Sequence, residues 1–146
     1  MNETTLTAVG NLVDKPDLRV TSGGAALCRF SVAATPRVYD AKTRAWRDGD
    51  PLFLSCSAWR DLAENIAESD LAKGTRVVVT GRLRMSQWQT EAGDKRTGYA
   101  LEVDDIGASM RFAHVTSHKA MRNRNGNGGQ DQAGQPPSAQ DEQPPF

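Results

Sequence analysis

The sequence lacks any long apolar run, since no such run exceeds four residues and the longest is Ala25 to Cys28. A helix that crosses a membrane needs about 20 apolar residues, so no transmembrane helix and no membrane contact are expected. The first five residues, Met-Asn-Glu-Thr-Thr, carry neither a basic segment nor an apolar segment, and they predict no signal peptide. We therefore expect a cytoplasmic protein.

Groups suited to catalysis or metal binding are also scarce. The two cysteines, Cys28 and Cys56, are too few for a disulfide framework or a four-cysteine zinc site, and both fall on predicted core faces. His114 and His118 have a spacing that suits a metal on a helix, but no third ligand accompanies them. With no paired carboxylates, nucleophile or phosphate-binding loop, the sequence predicts no catalytic residue, no metal and no cofactor. This argues against a nuclease or a sugar-acting enzyme.

Net charge is absent as well, because 18 basic residues balance 18 acidic residues. Residues 123–146 contain Arg124 against Asp131, Asp141 and Glu142, so this tail has a net charge of 1 − 3 = −2. The preceding residues then carry 17 − 15 = +2. Neither value is the strong basic excess of a typical nucleic-acid-binding protein, so only the placement of the charges is informative.

The tail has no Leu, Ile, Val, Met, Trp or Tyr, and 16 of its 24 residues are Gly, Asn, Gln or Pro. Such a segment buries too little apolar surface to offset its chain entropy, so it is expected to be disordered. Its one large apolar residue is the terminal Phe146.

The preceding part of the chain has the pattern of strands interrupted by one helix. Alternating or apolar stretches at 4–21, 26–35, 52–59, 75–88 and 99–106 predict strands, while 40–50 and 90–97 are polar and predict loops. Asp61, with Glu64 in the capping-box position, predicts the start of a helix that Lys73-Gly74 ends.

Glycines inside two of these strand patterns, Gly10 and Gly81, indicate bulges or sharp bends. Five strands with a helix between the third and the fourth are typical of the OB-fold, a small barrel that binds oligonucleotides and oligosaccharides. The sequence thus predicts an all-β protein with one helix: a five-stranded OB-fold barrel followed by a disordered C-terminal tail. A plain five-stranded sheet with a helix packed on it has the same order of elements.

Two predicted strands place aromatic and basic residues on the face opposite the core. In 52–59 the predicted core residues are Leu52, Leu54, Cys56 and Ala58. The opposite face carries Phe53, Ser55, Ser57 and Trp59. Its two rings stand about 20 Å apart along the strand. Packing under a loop or at a subunit contact would also explain either ring alone.

In 75–88 the predicted core residues are Val77, Val79, Leu83 and Met85. The opposite face carries Arg76, Val78, Thr80, Arg82, Arg84, Ser86 and Trp88. An edge strand bears arginines to deter aggregation, but that role requires no terminal tryptophan. Arg37 and Tyr39 form another basic–aromatic pair. Rings stack on unpaired bases while arginines neutralise phosphates, so this mixture points to single-stranded nucleic acid. Sugars also stack on rings, but they do not call for three arginines.

The sequence resembles the bacterial single-stranded DNA-binding proteins over roughly residues 4–115. The matching motifs are Val9-Gly10-Asn11-Leu12, Gly24 through Thr35-Pro36, Leu52-Phe53-Leu54-Ser55-Cys56-Ser57-Ala58-Trp59, Leu62-Ala63-Glu64-Asn65, Lys73-Gly74, Gly81-Arg82-Leu83 and Trp88. The final Asp-Glu-Gln-Pro-Pro-Phe is similar to the family's acidic terminus. Two features depart from the family pattern: the tail is short, and Gln143 stands where a further acidic residue is common.

The resemblance implies a homotetrameric, nucleoid-associated protein that coats and protects single-stranded DNA during replication, recombination and repair. The implied domains are 1–115 for DNA binding, 116–140 as a linker and 141–146 as a tip that recruits partner proteins. The implied stacking residues are Phe53, Trp59, Trp88 and Tyr39, the last for a family position that falls at Val38 or Tyr39. The arginines expected at phosphates are Arg37, Arg76, Arg82 and Arg84. The expected partner-binding residues are Asp141, Glu142, Gln143, Pro144, Pro145 and Phe146. A specialised OB-fold RNA-binding or replication-restart factor is the alternative.

Overall fold

The computed structural model describes residues 2–121, which contain eight strands and one helix. The strands and the helix are β1 (Thr5–Leu12), β2 (Asp17–Val20), β3 (Ala26–Ala34), β4 (Arg37–Asp40), β5 (Ala45–Asp48), β6 (Leu52–Trp59), α1 (Arg60–Glu68), β7 (Arg76–Gln89) and β8 (Lys95–Ala108).

Six of the strands form one sheet in the order β1-β7-β8-β6-β3-β2. A further pairing of β1 with β3, at Asn11–Ala33 and Leu12–Val32, joins the two sides of this sheet. Strands β1, β7, β8, β6 and β3 therefore close into a barrel, and β2 pairs alongside the first half of β3. The prediction of a mostly β, five-stranded OB-fold barrel with one helix is confirmed.

The core lies inside this barrel, where small and branched side chains alternate with outward-facing ones. Its fully buried members include Leu12, Val32, Val77, Val79 and Leu101. The helix α1 adds Ala63 and Ile66 to the same cluster, which also contains both cysteines. The expectation that Cys28 and Cys56 are buried thiols is therefore confirmed.

Both predicted special glycines lie where backbones approach closely. A Cβ at Gly10 would overlap the carbonyl of Ala33, in the β1–β3 contact that closes the barrel. A Cβ at Gly81 would overlap the backbone of Glu102, next to a register shift between β7 and β8. This shift corresponds to the bulge that the sequence predicted at Gly81.

The predicted helix cap is wrong. Strand β6 runs directly into α1, so Trp59 occupies the N-cap position and makes no side-chain capping hydrogen bond. Asp61 lies in the first turn instead, where its charge still favours the positive end of the helix dipole. The helix also ends earlier than predicted, because the Ser69 hydroxyl donates to the Asn65 carbonyl at 2.7 Å and Asp70 adopts a left-handed φ of 51°.

Two segments predicted as loops contain strand residues. The polar segment 40–50 belongs to a separate two-stranded sheet in which β4 pairs with β5, so this prediction is wrong. The second loop is only Thr90–Asp94, because β7 and β8 continue as an antiparallel arm as far as the Gln89–Lys95 pair.

Two residues predicted in the core, Leu52 and Met85, are exposed. Leu52 is the first residue of β6, and Met85 lies on the β7–β8 arm opposite Tyr99. Alternation places both side chains on the inward side of their strands. At these positions, however, the other strands of the barrel do not cover them.

Residues 116–121 are exposed and have no helix or strand. The predicted linker 116–140 is therefore described only as far as Met121. The predicted disorder of the tail and the predicted tip 141–146 lie outside the described residues.

Candidate nucleic-acid interface

The outer face of β6 presents two aromatic rings with small residues between them. Phe53 is 63% exposed and Trp59 is 37% exposed. Ser55 and Ser57 separate them on the same face, and the facing residue of β3 opposite Ser55 is Ser31. The alternation predicted for this face is therefore present. The serine side chains between the two rings are small, so the surface there lies below the rings.

A shallow depression of about 520 Å³ occupies this low surface. Its lining includes Arg29, Ser31, Ser55, Ser57 and Ala100. The charged residues Asp14, Lys15 and Asp17 also line it. Small side chains from β3, β6 and β8 thus leave room for a flat or extended ligand along the sheet.

The third predicted ring, Trp88, lies on the β7–β8 arm and is 53% exposed. Its indole covers Gly98 of β8, since a Cβ at Gly98 would lie 3.0 and 3.1 Å from the indole atoms Cζ3 and Cη2. The absence of a side chain at Gly98 lets the ring lie close to the arm.

The strand register places Phe53 and Trp88 towards the same end of the barrel. Strands β6 and β8 run parallel where Cys56 meets Leu101. Phe53 lies three residues before Cys56, and Gly98 lies three residues before Leu101. Trp59 lies at the opposite end of β6. We call the surface from Trp59 through the serines to Phe53 and Trp88 the aromatic groove.

The two central arginines of this face are held by carboxylates. Arg82 contacts Glu102 and Asp104, each at 3.1 Å. Arg84 contacts Glu102 at 3.2 Å and Glu3 at 3.5 Å. A phosphate reaching either arginine would have to displace a carboxylate that is already bound.

The other two predicted phosphate contacts lie apart from this pair. Arg76 stands twelve residues before Trp88 on β7, about 40 Å along an extended strand. Its guanidinium carbon lies 5.4 Å from the centre of the Phe112 ring, and its Nε is buried without a hydrogen-bond partner among the described residues. Arg37 lies on β4 and pairs with Asp48 at 3.6 Å. The four arginines therefore do not form one cluster.

Sequence reasoning missed two residues of this region. Arg29 lines the depression on β3 and makes no ion pair within residues 2–121. Arg29 lies between the core residues Cys28 and Phe30 in the sequence, so alternation places it on the outer face, and this pattern could have identified it. Trp46 lies in the segment predicted as a polar loop, and it faces Tyr39 with ring centroids 5.4 Å apart and an interplanar angle of 64°.

Burial determines the state of the two cysteine thiols. Burial raises the pKa of the Cys56 thiol to about 12, and burial with the nearby Asp17 charge raises that of Cys28. Both thiols therefore stay protonated and unreactive at neutral pH. The described residues contain no cluster of three or more His, Cys, Asp or Glu side chains arranged to bind a metal. They also contain no helix long and apolar enough to span a membrane.

Known proteins match this chain in sequence and in fold. The profile of the Single-strand binding protein family matches residues 1–109. A single-stranded DNA-binding protein of Paenarthrobacter aurescens is 50% identical over 130 residues, which cover 87% of this chain and 75% of that protein. A single-stranded DNA-binding protein of Mycobacterium leprae is 52% identical over 120 residues, which cover 82% of this chain and 71% of that protein.

The crystal structure of a small single-stranded DNA-binding protein from Streptomyces coelicolor has the same fold. It superposes with a TM-score of 0.64 at 38% sequence identity, and the match covers 75% of this chain and 97% of that one. The family profile extends over the helix and every strand described above. On these grounds, the chain belongs to the single-strand binding protein family.

Proposed function

We propose that this protein binds and protects single-stranded DNA with little sequence preference. The observation that carries the proposal is the aromatic groove, in which Phe53, Trp59 and Trp88 project from a surface of small side chains. Membership of the family supports it, since the matched relatives are named single-stranded DNA-binding proteins.

Base stacking supplies the affinity in this proposal. Every base has a flat face, so an exposed ring stacks on any of the four, for roughly 1–3 kcal/mol per base. A duplex hides these faces between its own base pairs. Exposed rings on a sheet therefore favour single strands over duplexes.

Cations along the path neutralise the phosphates. Arg29 can bind a phosphate without giving up another contact, because it has no ion-pair partner in the described part of the chain. Arg82 and Arg84 take part by exchanging a carboxylate for a phosphate, and this exchange lowers the net gain from each of them. Stacking is therefore the larger contribution, and the weak overall charge of the chain fits this balance.

Titration with a dT oligomer tests the proposal. Trp59→Ala and Trp88→Ala should each weaken binding about fivefold to 150-fold, which corresponds to the loss of one stacked base. Tyr99→Ala is the matched control, because Tyr99 is an exposed ring on the opposite face of the β7–β8 arm. If both tryptophan variants bind like the parent, the rings serve a subunit contact and the proposal fails. Tighter binding to a cytidine RNA would favour an RNA-binding factor.

We further propose that residues 141–146 recruit replication, recombination and repair proteins. The segment joins two carboxylates, a Pro-Pro pair and a terminal Phe146, and such a peptide fits an apolar pocket with a basic rim. Deleting residues 141–146 should abolish capture of these partners while leaving dT affinity intact, and Phe146→Ala should nearly reproduce the loss. Capture that survives the deletion would place the recruiting surface on the folded part.

The protein acts as a homotetramer without enzymatic activity in this proposal, in the cytoplasm at the nucleoid. Several tails on one oligomer raise the avidity for partners whose single sites are weak. Size-exclusion chromatography with light scattering should give the mass of four chains without poly-dT, and with poly-dT it should give a DNA complex that carries protein in multiples of four chains. A monomer in both conditions would contradict the tetramer.

A further inference from the structure

The β4–β5 hairpin carries an aromatic pair that the aromatic groove does not include. Tyr39 and Trp46 are directly opposed across the two strands, and their rings meet edge to face. Trp46 is 61% exposed, so most of its indole is open to solvent. Tyr39 is 50% exposed as well, so the two rings form one exposed aromatic patch, and such a patch marks an interaction site better than a single exposed side chain does.

The two faces of the hairpin differ in exposure. Successive residues of a strand point to opposite faces, so Val38 lies on the face opposite Tyr39. Val38 is half-buried, and its Cγ2 would lie 2.9 Å from a Cβ at Gly49, at the base of the hairpin. Tyr39 and Trp46 are 50% and 61% exposed, so the aromatic face is the more open of the two.

The charge of the hairpin suits a polyanion. Residues 37–48 contain four basic and two acidic side chains, a net charge of 4 − 2 = +2. Asp40 is occupied by the turn, where its carboxylate accepts from the Lys42 backbone N–H at 2.9 Å and its carbonyl accepts from Arg44 at 2.7 Å. Lys42 and Arg44 stand at the tip, and neither makes an ion pair within the described range 2–121.

The hairpin leaves the barrel next to one end of the aromatic groove. It connects the end of β3 to the start of β6, and the last pair between those strands is Ala34–Leu52. Phe53 is the next residue of β6, so the hairpin starts beside one end of the aromatic groove. A strand that stacks on Phe53 would meet the hairpin as it leaves the groove.

We propose that Trp46 is an additional base-stacking residue, on the same hairpin as Arg37 and Tyr39, which were already expected at single-stranded DNA. This inference rests on the proposed function. Tyr39 holds the indole of Trp46 by its edge-to-face contact, and a base stacks on the part of the indole that is open to solvent. Lys42, Arg44 and Arg47 neutralise the flanking phosphates.

Fluorine NMR of the full chain labelled with 5-fluorotryptophan tests this without disturbing the hairpin. The three tryptophans give three resonances, assigned through Trp46→Phe, Trp59→Phe and Trp88→Phe. Adding a dT oligomer should shift all three. Shifts confined to Trp59 and Trp88 would overturn the inference and leave the proposed function standing, whereas no shift at all would overturn both. A Trp46 resonance that responds to protein concentration but not to dT would show a protein contact instead.

The affinity of Trp46 variants for a dT oligomer is the second measurement. Trp46→Ala should weaken dT binding about fivefold to 150-fold, the range for one stacked base. Trp46→Phe should retain most of the affinity, because it keeps a ring opposite Tyr39 and a face for a base. Tyr99→Ala is again the control, since Tyr99 is 62% exposed and so matches Trp46 in exposure. Equal affinity of Trp46→Ala and the parent protein would contradict the proposal.

Discussion

Glu102 shows how one residue can limit a binding face. Its carboxylate lies 3.1 Å from Arg82 and 3.2 Å from Arg84, between the two arginines that the sequence assigned to phosphates. The side chains of Arg82 and Glu102 are about 30% exposed, so solvent screens the pair only in part. The sequence could reveal the arginines by their alternation with Trp88, but not their partners, since Glu102 and Glu3 are distant in sequence.

Glu102→Gln should therefore strengthen dT binding, because it releases Arg82 and Arg84 from one of their two carboxylates each and removes a negative charge from the groove. An ion pair of this exposure is worth about 0.2–1 kcal/mol, so the gain should be about 1.5-fold to fivefold at low salt. Titrations of the variant and the parent protein at several salt concentrations measure it.

Glu68→Gln is the control for that titration, since Glu68 is an exposed carboxylate on α1 that forms no ion pair within residues 2–121. An equal gain in both variants would show a general effect of net charge. Weaker binding of Glu102→Gln would mean that the carboxylate holds the arginines in the orientation that phosphate needs.

At the scale of elements, the sequence predicted the barrel well and the hairpins less well. Core strands such as β3 and β6 have strict alternation, because one face is buried and the other is not. The β4–β5 hairpin has no buried face to impose such a pattern, so its polar residues resembled a loop and Trp46 was missed. Leu52 and Met85 were misplaced for a related reason: alternation continues past the point where the barrel ends.

The bulge at Gly81 is the clearest element-scale prediction. An added Cβ at position 81 would overlap the Glu102 backbone, which cannot move as a flexible side chain would. Gly81→Ala should therefore lower the free energy of unfolding by about 1–3 kcal/mol, the usual cost of overpacking a tight site. Chemical denaturation measures this loss.

Gly107 provides the matched control, because it lies in the same β7–β8 pair as Gly81 and a Cβ there would meet nothing within 4 Å. Gly107→Ala should leave the free energy of unfolding nearly unchanged. Equal effects of the two substitutions would show that backbone entropy, not the close approach at the bulge, decides the cost.

At the scale of the whole molecule, the placement of charge matters more than its total. The chain is neutral overall, yet Arg29 lies open in the depression and the β4–β5 hairpin carries a net +2. Composition alone did not suggest nucleic acid, and only the alternation of basic and aromatic residues along the strands argued for it. The sequence could not show that most of the predicted arginines are engaged elsewhere, because that depends on which strands become neighbours.

The central claim is that single-stranded DNA lies along the aromatic groove. Photocrosslinking with an oligonucleotide that contains 5-iodo-deoxyuridine, followed by mass spectrometry of the crosslinked peptides, tests this most directly. Crosslinks are expected at Phe53, Trp59 and Trp88. Crosslinks confined to Met85 and Tyr99 on the reverse face of the arm, or to Phe112 beside Arg76, would contradict it.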